Sequence, residues 1–497
     1  MGSARSRRPL ALPAAAAAVA AVAVVAGLLA TLLLWAPGPR SAVLLEPAPG
    51  GVHPPADPHA AVRDQLGGLA GLLIGDDPLL RACADPAAGL SRPGPAGRDP
   101  APATSGPART APAADRSGQV GAVIAQTEAL RGRELRPVPE IRLLVGQEMT
   151  EQVAEFFADR DAPVQIDIDT RALTALGAIS PGTDLAALRL DAFAEQVSGY
   201  HLGAAGLIGI RVGNPDALSP LERVVLAHEL EHALSYQHVG RPAEHREGEA
   251  SADAGRAGSA LVEGSAAAAM LQYAHTVLTL SEQLTLRAEL AVRAGQRALA
   301  GYSPYLLAEL RFPYLAGLRY TCQRWLDGGW AAVEAGYRDP PASTAAVLFP
   351  DRLGERPRRP AALAAPGGSW RHADTASFGA AELEWLLSAP GGDPDAGLDR
   401  VRERVSAWDG GRRTVWTERA ASAVGLALVD RGEPGTPPLC DTVRRWYAAA
   451  FPLATVDHDG ARVRFDGRRQ DAVLACPGVQ VRLGIAPTLE RAAAIVD

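Results

Sequence analysis

Residues 219–240 read SPLERVVLAHELEHALSYQHVG, and the first question is whether they form a helix. Ser219 can cap it, Pro220 suits the first helical position, and Glu222 stands three residues after the serine. That is a capping box with proline at N1. Leu221, Val224, Val225, Leu226, Leu230 and Leu234 then recur at helical spacing and make an apolar face. No glycine or proline interrupts before Gly240, so the pattern predicts a helix over about 220–236.

On such a helix His228 and His232 lie four apart and leave the same face one turn apart. Two imidazole nitrogens there can reach one zinc ion. Glu229 follows the first histidine and can take a proton from a water beside the ion, then return it to a leaving amine. This is the H-E-x-x-H pattern of zinc metallopeptidases. The alternative is two solvated histidines beside two solvated glutamates. Histidine is scarce, 10 residues of 497, which works against a chance match.

The net charge of −7 argues against nucleic-acid binding. Every basic residue is arginine; no lysine occurs. Arg5, Arg7 and Arg8 precede an uncharged apolar run over residues 10–35, long enough to cross a bilayer. The arginines predict a cytoplasmic N-terminus at residues 1–9 and a single-pass signal anchor at 10–35. The bulk of the chain is then expected outside the cytoplasm, attached to the cell membrane.

Four cysteines occur, Cys83, Cys322, Cys440 and Cys476, with no C-x-x-C pair. An even number outside the cytoplasm permits disulfides. Cys440 and Cys476 share one C-terminal segment, which favours them as a pair and leaves Cys83 with Cys322. Three connectivities are open, as are four free thiols.

Residues 36–118 are rich in Pro, Ala and Gly and read as a largely disordered stalk, with a short helix expected at 61–83. Order resumes near 119. Residues 119–132 suit a helix, 137–146 a strand, 148–159 a helix and 185–200 another helix. Residues 206–213, GLIGIRVG, read as a strand ending just before the H-E-x-x-H helix. An edge strand in that position can pair with an extended substrate. Residues 256–278 and most of 280–327 read as helical. Beyond 370 a smaller α+β region runs to the end. The expected fold is α+β and zincin-like: a mostly helical catalytic region with a small mixed sheet at 119–352, a smaller C-terminal region at 353–497, and the N-terminal transmembrane helix.

A catalytic zinc site needs a third protein ligand. His238 lies six residues after His232, the spacing of a longer three-histidine motif, but six residues turn about 240° on a continuous helix. That motif also has a glycine where Ser235 stands, and a methionine turn; Met270 instead lies in an alanine-rich helix. Glu263, in ALVEGSA, lies on a second helix some thirty residues on, the usual arrangement of a His₂Glu site. Gly264 and the surrounding alanines would let two helices approach. Glu249 and Asp253 are nearby acids, the latter a candidate partner for a ligating histidine.

Together with ALVEGSAAAAM, LRFPYLAGLRY, GGWAAVEAGYRDPPAST and VLFP, the opening stretch resembles a group of bacterial and archaeal secreted or membrane-tethered proteins. These are read as zincin-like metallopeptidases of the gluzincin type, and the match covers roughly 119–352. The resemblance implies zinc (Zn²⁺) held by His228, His232 and Glu263, with Glu229 as general base. Two positions depart from the group's pattern: Ala345 replaces an acid and Phe349 a histidine. Tyr314 could donate to an oxyanion, but a buried structural tyrosine is the preferred reading and Tyr314 is left out of the site.

The sequence thus points to a membrane-anchored extracytoplasmic zinc metallopeptidase acting on peptide or protein substrates. The competing reading is a catalytically inactive cell-envelope binding or scaffold protein of the same fold.

Overall fold

The computed structural model describes residues 21–23, 77–85, 118–152, 163–242, 252–294, 301–459 and 462–497. Its first elements are a strand at Ala21–Ala23 (β1), a helix at Pro78–Ala84 (α1), a helix at Gly118–Arg131 (α2) and a strand at Glu140–Val145 (β2). Helices Pro163–Ala175 (α3) and Leu185–Gln196 (α4) lead to strands Gly199–Leu202 (β3) and Leu207–Val212 (β4). Then come helices Pro220–His238 (α5), Ala252–Thr276 (α6), Leu280–Ala294 (α7) and Pro304–Arg338 (α8), the last kinked at Gly328 and Gly329. The short helix Thr344–Leu348 (α9) leads into strand Arg371–Ser377 (β5), helices Ala380–Ser388 (α10) and Val401–Ser406 (α11), and strands Trp408–Glu418 (β6) and Ala421–Asp430 (β7). Helix Leu439–Ala450 (α12), strands Thr455–Asp459 (β8), Arg462–Asp466 (β9), Asp471–Ala475 (β10) and Gln480–Ala486 (β11), and helix Leu489–Val496 (α13) complete the chain.

The capping box forms as the sequence predicts. The Glu222 backbone N–H donates to Ser219 Oγ at 3.3 Å, and Glu222 Oε2 accepts from the Ser219 N–H at 2.7 Å. Glu222 Oε1 also accepts from the Gly213 N–H at 2.7 Å, tying the chain just after β4 to the start of α5. The apolar face of α5 (Leu221, Val224, Leu226, Leu230, Leu234) buries against Val123 and Ile124 of α2, Ile208 and Ile210 of β4, and Tyr273 of α6.

The first sheet has strand order β1-β3-β4-β2. β2 runs parallel to β4, and β3 antiparallel to it. β4, expected as an edge strand, is therefore interior. The helix expected over 185–200 ends at Gln196, and its last residues belong to β3. Gly206, at φ +61°, makes the tight link between β3 and β4 that a side-chain-bearing residue would resist.

The expected fold class needs correction in two respects. Residues 21–23, within the run expected to be a transmembrane helix, form β1 and pair antiparallel with Gly199–His201. Among the described residues no helix is long and apolar enough to cross a membrane. The run alternates alanine with β-branched valine, and apolarity and length alone do not separate a span from a strand. The C-terminal region is also no minor appendage. It carries the larger sheet, seven strands in the order β5-β6-β7-β11-β10-β9-β8, with every neighbouring pair antiparallel. The largest apolar cluster joins this sheet to the helices, from Cys83 and Ala260 through Leu318 and Trp385 to Leu426 and Leu483. The molecule is a mixed helix-and-sheet protein with two sheets, in place of a zincin-like helical domain with a small partner. Most of the 10–35 run, residues 36–76 and 86–117, and Glu249 lie outside the described residues.

Both cysteine pairs are disulfides: Cys83–Cys322 ties α1 to α8, and Cys440–Cys476 ties α12 to the segment after β10.

Candidate metal centre

α5 is buried on nearly every side from Val224 to Ser235, so its polar residues must find partners inside the protein. His228 and His232 leave one face. Glu263 reaches them from α6, which crosses α8 at very short range. A Cβ on Gly264 would lie 2.2 Å from the Gly317 carbonyl oxygen, and one on Gly317 would lie 2.1 Å from that of Ala260. Only a pair of glycines permits this crossing, and Glu263 stands next to one of them.

Three atoms converge as a result. His228 Nε2 and His232 Nε2 are 3.1 Å apart. Glu263 Oε2 lies 3.3 Å from the first and 3.5 Å from the second. Ligands at about 2.0–2.1 Å from a tetrahedral zinc stand about 3.3–3.4 Å from one another, so the triangle has the dimensions of a zinc coordination face. Among the described residues this is the one group of histidine, cysteine and acidic side chains with such spacing. The donor set, two imidazoles and a carboxylate, also fits zinc. One feature falls short of a fully built site: the buried Nδ1 of His228 has no partner among the described residues, where ligating histidines usually donate to one.

Electrostatics follow from burial. Burial pushes His228 down to about 4, with Glu263 opposing the shift. Burial alone would raise the Glu263 carboxyl, but the facing His232 and His228 rings bring it to about 2. Glu229 is fully buried and neither carboxylate oxygen has a partner among the described residues. Burial, then the Glu263 charge, raises its pKa well above the ordinary carboxylate value. Gly199 of β3 makes room for it: a Cβ there would lie 2.7 Å from Glu229 Oε1.

An open cleft reaches two of the three triangle residues, with His232, Glu263, His201 and Tyr236 in its walls. His201, on β3, belongs to no motif in the sequence and is brought to the site by the fold. Its ring lies 6.5 Å from that of His232 at an interplanar angle of 10°, and burial followed by His232 lowers its pKa to about 3. The alternation Gly199-x-His201-x-Gly203 is the signal that could have found it.

The other candidates lie elsewhere. His238 is exposed at the end of α5, its Nε2 2.9 Å from the Glu134 carbonyl oxygen. Asp253 holds no histidine; it accepts from the Thr344 N–H at 3.2 Å and from the Thr344 hydroxyl. Tyr314 stacks near His228, with ring centroids 6.4 Å apart. Met270 packs in the apolar cluster behind α5. Ala345 is buried in α9.

Behind the site, Glu231 is fully buried on α5. Its Oε2 accepts from Arg131 Nε, and its Oε1 accepts from Ser235 Oγ at 2.7 Å. Arg131 lies over the Trp330 ring at 3.9 Å and also faces Glu334. The sequence gives no local sign of this pair, since its members are 100 residues apart. No family model, curated protein or solved structure shows a significant match to the chain.

Proposed function

We propose that the chain is an extracytoplasmic zinc metallopeptidase. The observation that carries the reading is the 3.1, 3.3 and 3.5 Å triangle of His228, His232 and Glu263 beside a buried, partnerless Glu229. The resemblance of the same residues to gluzincin-type metallopeptidases supports it. Two disulfides favour an oxidising compartment.

Zinc, when bound, supplies Lewis-acid polarisation of a carbonyl and acidifies water. The chain's own residues do the rest. His228, His232 and Glu263 hold the ion. Glu229 accepts the proton of the attacking water and delivers it to the departing amine nitrogen, which leaves two peptide products.

The test is metal content alongside turnover of an internally quenched peptide library. The wild type is expected to hold about one zinc per chain, the coordination expected of one His₂Glu site. His228→Ala and Glu263→Ala should lose the zinc and His238→Ala should keep it. Glu229→Gln should keep zinc and lose hydrolysis. A folded wild type without zinc would overturn the reading. Zinc without any hydrolysis would favour the inactive scaffold.

A further inference from the structure

β3 turns Gly199 and His201 toward α5 at the two-residue period of a strand, and Gly203, the first residue after the strand, continues the alternation. Opposite them stand Glu229, His232 and Tyr236, which share one face of α5. A Cβ on Gly203 would lie 2.8 Å from the Tyr236 ring, and one on Gly199 2.7 Å from Glu229 Oε1. The strand therefore runs as close to the helix as bare backbone allows. Glycine weakens a strand, so this approach is kept at a cost in strand stability.

Into that narrow gap β3 sends one side chain, His201. Its ring stacks on His232 and meets the Tyr236 ring edge-on at 5.9 Å. It lines the cleft with His232 and Glu263. It is not one of the three convergent ligand atoms. No described residue hydrogen-bonds its ring, although the residue is only 6% exposed. A largely buried polar ring on the wall of the cleft beside His232, with a donor that no described residue engages, suits a group that acts on substrate.

Resting on the peptidase reading, we propose that His201 is a second catalytic residue, whose ring N–H donates a hydrogen bond to the carbonyl oxygen of the scissile peptide. As the water oxygen bonds to the carbonyl carbon, the π pair moves onto the carbonyl oxygen and Glu229 takes the water proton. The hydrogen bond from His201 strengthens as this charge develops. When the C–N bond breaks, its pair leaves with the nitrogen, which takes the proton from Glu229, while the oxygen pair re-forms the carbonyl and the contact relaxes. His201 itself neither gains nor loses a proton.

The test compares His201→Phe, which keeps a stacking ring without a donor, with His201→Asn, which keeps a donor without the ring. Both are made in the full chain and loaded with zinc. Three quantities are read: zinc content, kcat and KM on the best-cleaved library peptide, and affinity for that peptide's phosphonate analogue, a tetrahedral anion. Loss of one oxyanion donor costs about 10²–10³-fold in kcat. The expected result for His201→Phe is therefore full zinc, KM within about twofold, and kcat and phosphonate affinity both down by about 10²-fold or more. His201→Asn should recover part of both. A purely structural ring predicts the reverse order, with Phe harmless and Asn damaging, and that result would overturn the proposal. Zinc lost from both variants would make His201 a ligand or a support of the ligands, which also overturns it. A zinc-loaded wild type that cleaves no library peptide sinks the peptidase reading and this assignment with it, whereas turnover unaffected by His201→Phe sinks the assignment alone.

Discussion

Replacing Gly264 with alanine tests how the third ligand is placed. The added Cβ would sit 2.2 Å from the Gly317 carbonyl oxygen and 2.7 Å from Thr321 Oγ1. The first obstacle is backbone, so it cannot swing aside. Restoring contact to about 3.2 Å requires α6 and α8 to part by roughly 1 Å, and overpacking of this kind costs about 1–3 kcal/mol. Alanine returns about 0.5–1 kcal/mol through its better helix propensity. The net effect on the metal-free fold is then modest, about 1–2 kcal/mol. The effect on the site should be larger. Glu263 is the preceding residue, and a shift of roughly 1 Å takes its Oε2 outside the ~2.0–2.2 Å range of a zinc–carboxylate bond. Zinc affinity should fall by about 10²-fold or more, beyond the 10–100-fold typical of losing a supporting contact. The assay is zinc competition against a chromophoric chelator, with calorimetry of the metal-free protein beside it. Gly255→Ala on the same helix is the control: a Cβ there meets nothing within 4 Å. It should bind zinc normally and be as stable as wild type or slightly more so. A Gly264→Ala protein that holds zinc as tightly as wild type would refute the idea that this helix crossing positions Glu263.

Arg131→Met leaves Glu231 buried without its cation, and removing one partner of such a pair costs about 3–5 kcal/mol; an unchanged urea midpoint would count against the pair. Asp253 is held at about 6 by burial, with the Thr344 hydrogen bonds opposing, against an ordinary 3.8. Because the folded-state pKa is the higher one, the stability it lends is full below 3.8 and disappears as pH rises through about 6. Asp253→Asn should therefore gain on the wild type by about 2–2.5 kcal/mol between pH 4 and pH 7.5, and a pH-independent difference in calorimetry would contradict this. Removing the Cys440–Cys476 disulfide, which closes a loop with a sequence separation of 36, should lower stability by about 3–4 kcal/mol in chemical denaturation. Equal midpoints for the wild type and a Cys440→Ser/Cys476→Ser variant would show that the crosslink contributes nothing.

The parts of the molecule legible in the sequence are those specified within a turn or two of chain. Ser219, Pro220 and Glu222 announce the start of α5, and the spacing of His228 and His232 follows from its pitch. Glu263 stands out chemically, as an acid in an alanine-rich helix next to a glycine. What sequence reading missed depends on partners far away. β3 has four residues, no β-branched side chain and a glycine at its start, so it carries no strand signal of its own and exists through pairing with β4. The Arg131–Glu231 pair spans 100 residues. The valine- and alanine-rich run near the N-terminus suits either an apolar helix or a strand, and its partner in β3 decides the matter for residues 21–23.

The buried glutamates of α5 and α6 differ in a way that separates architecture from chemistry. Glu222 accepts from Gly213 and Ser219, Glu231 from Arg131 and Ser235, and Glu263 faces two histidines. Glu229 is as buried as any of them and has no partner at either oxygen among the described residues. A buried polar group left unpaired costs about 1–3 kcal/mol, and no described residue offsets it with a hydrogen bond. The fold would gain by losing this carboxylate. Glu229→Leu, of similar volume and without polar atoms, should therefore raise the stability of the metal-free protein by about 1–3 kcal/mol while abolishing hydrolysis. The substitution has to leave zinc content near wild type for the comparison to isolate the carboxylate. If the variant is instead less stable by a similar amount, Glu229 has a structural partner, and its assignment to the chemistry of the cleft loses its main physical support. A gain in stability coupled to the loss of turnover is the signature of a residue retained for what it does to substrate.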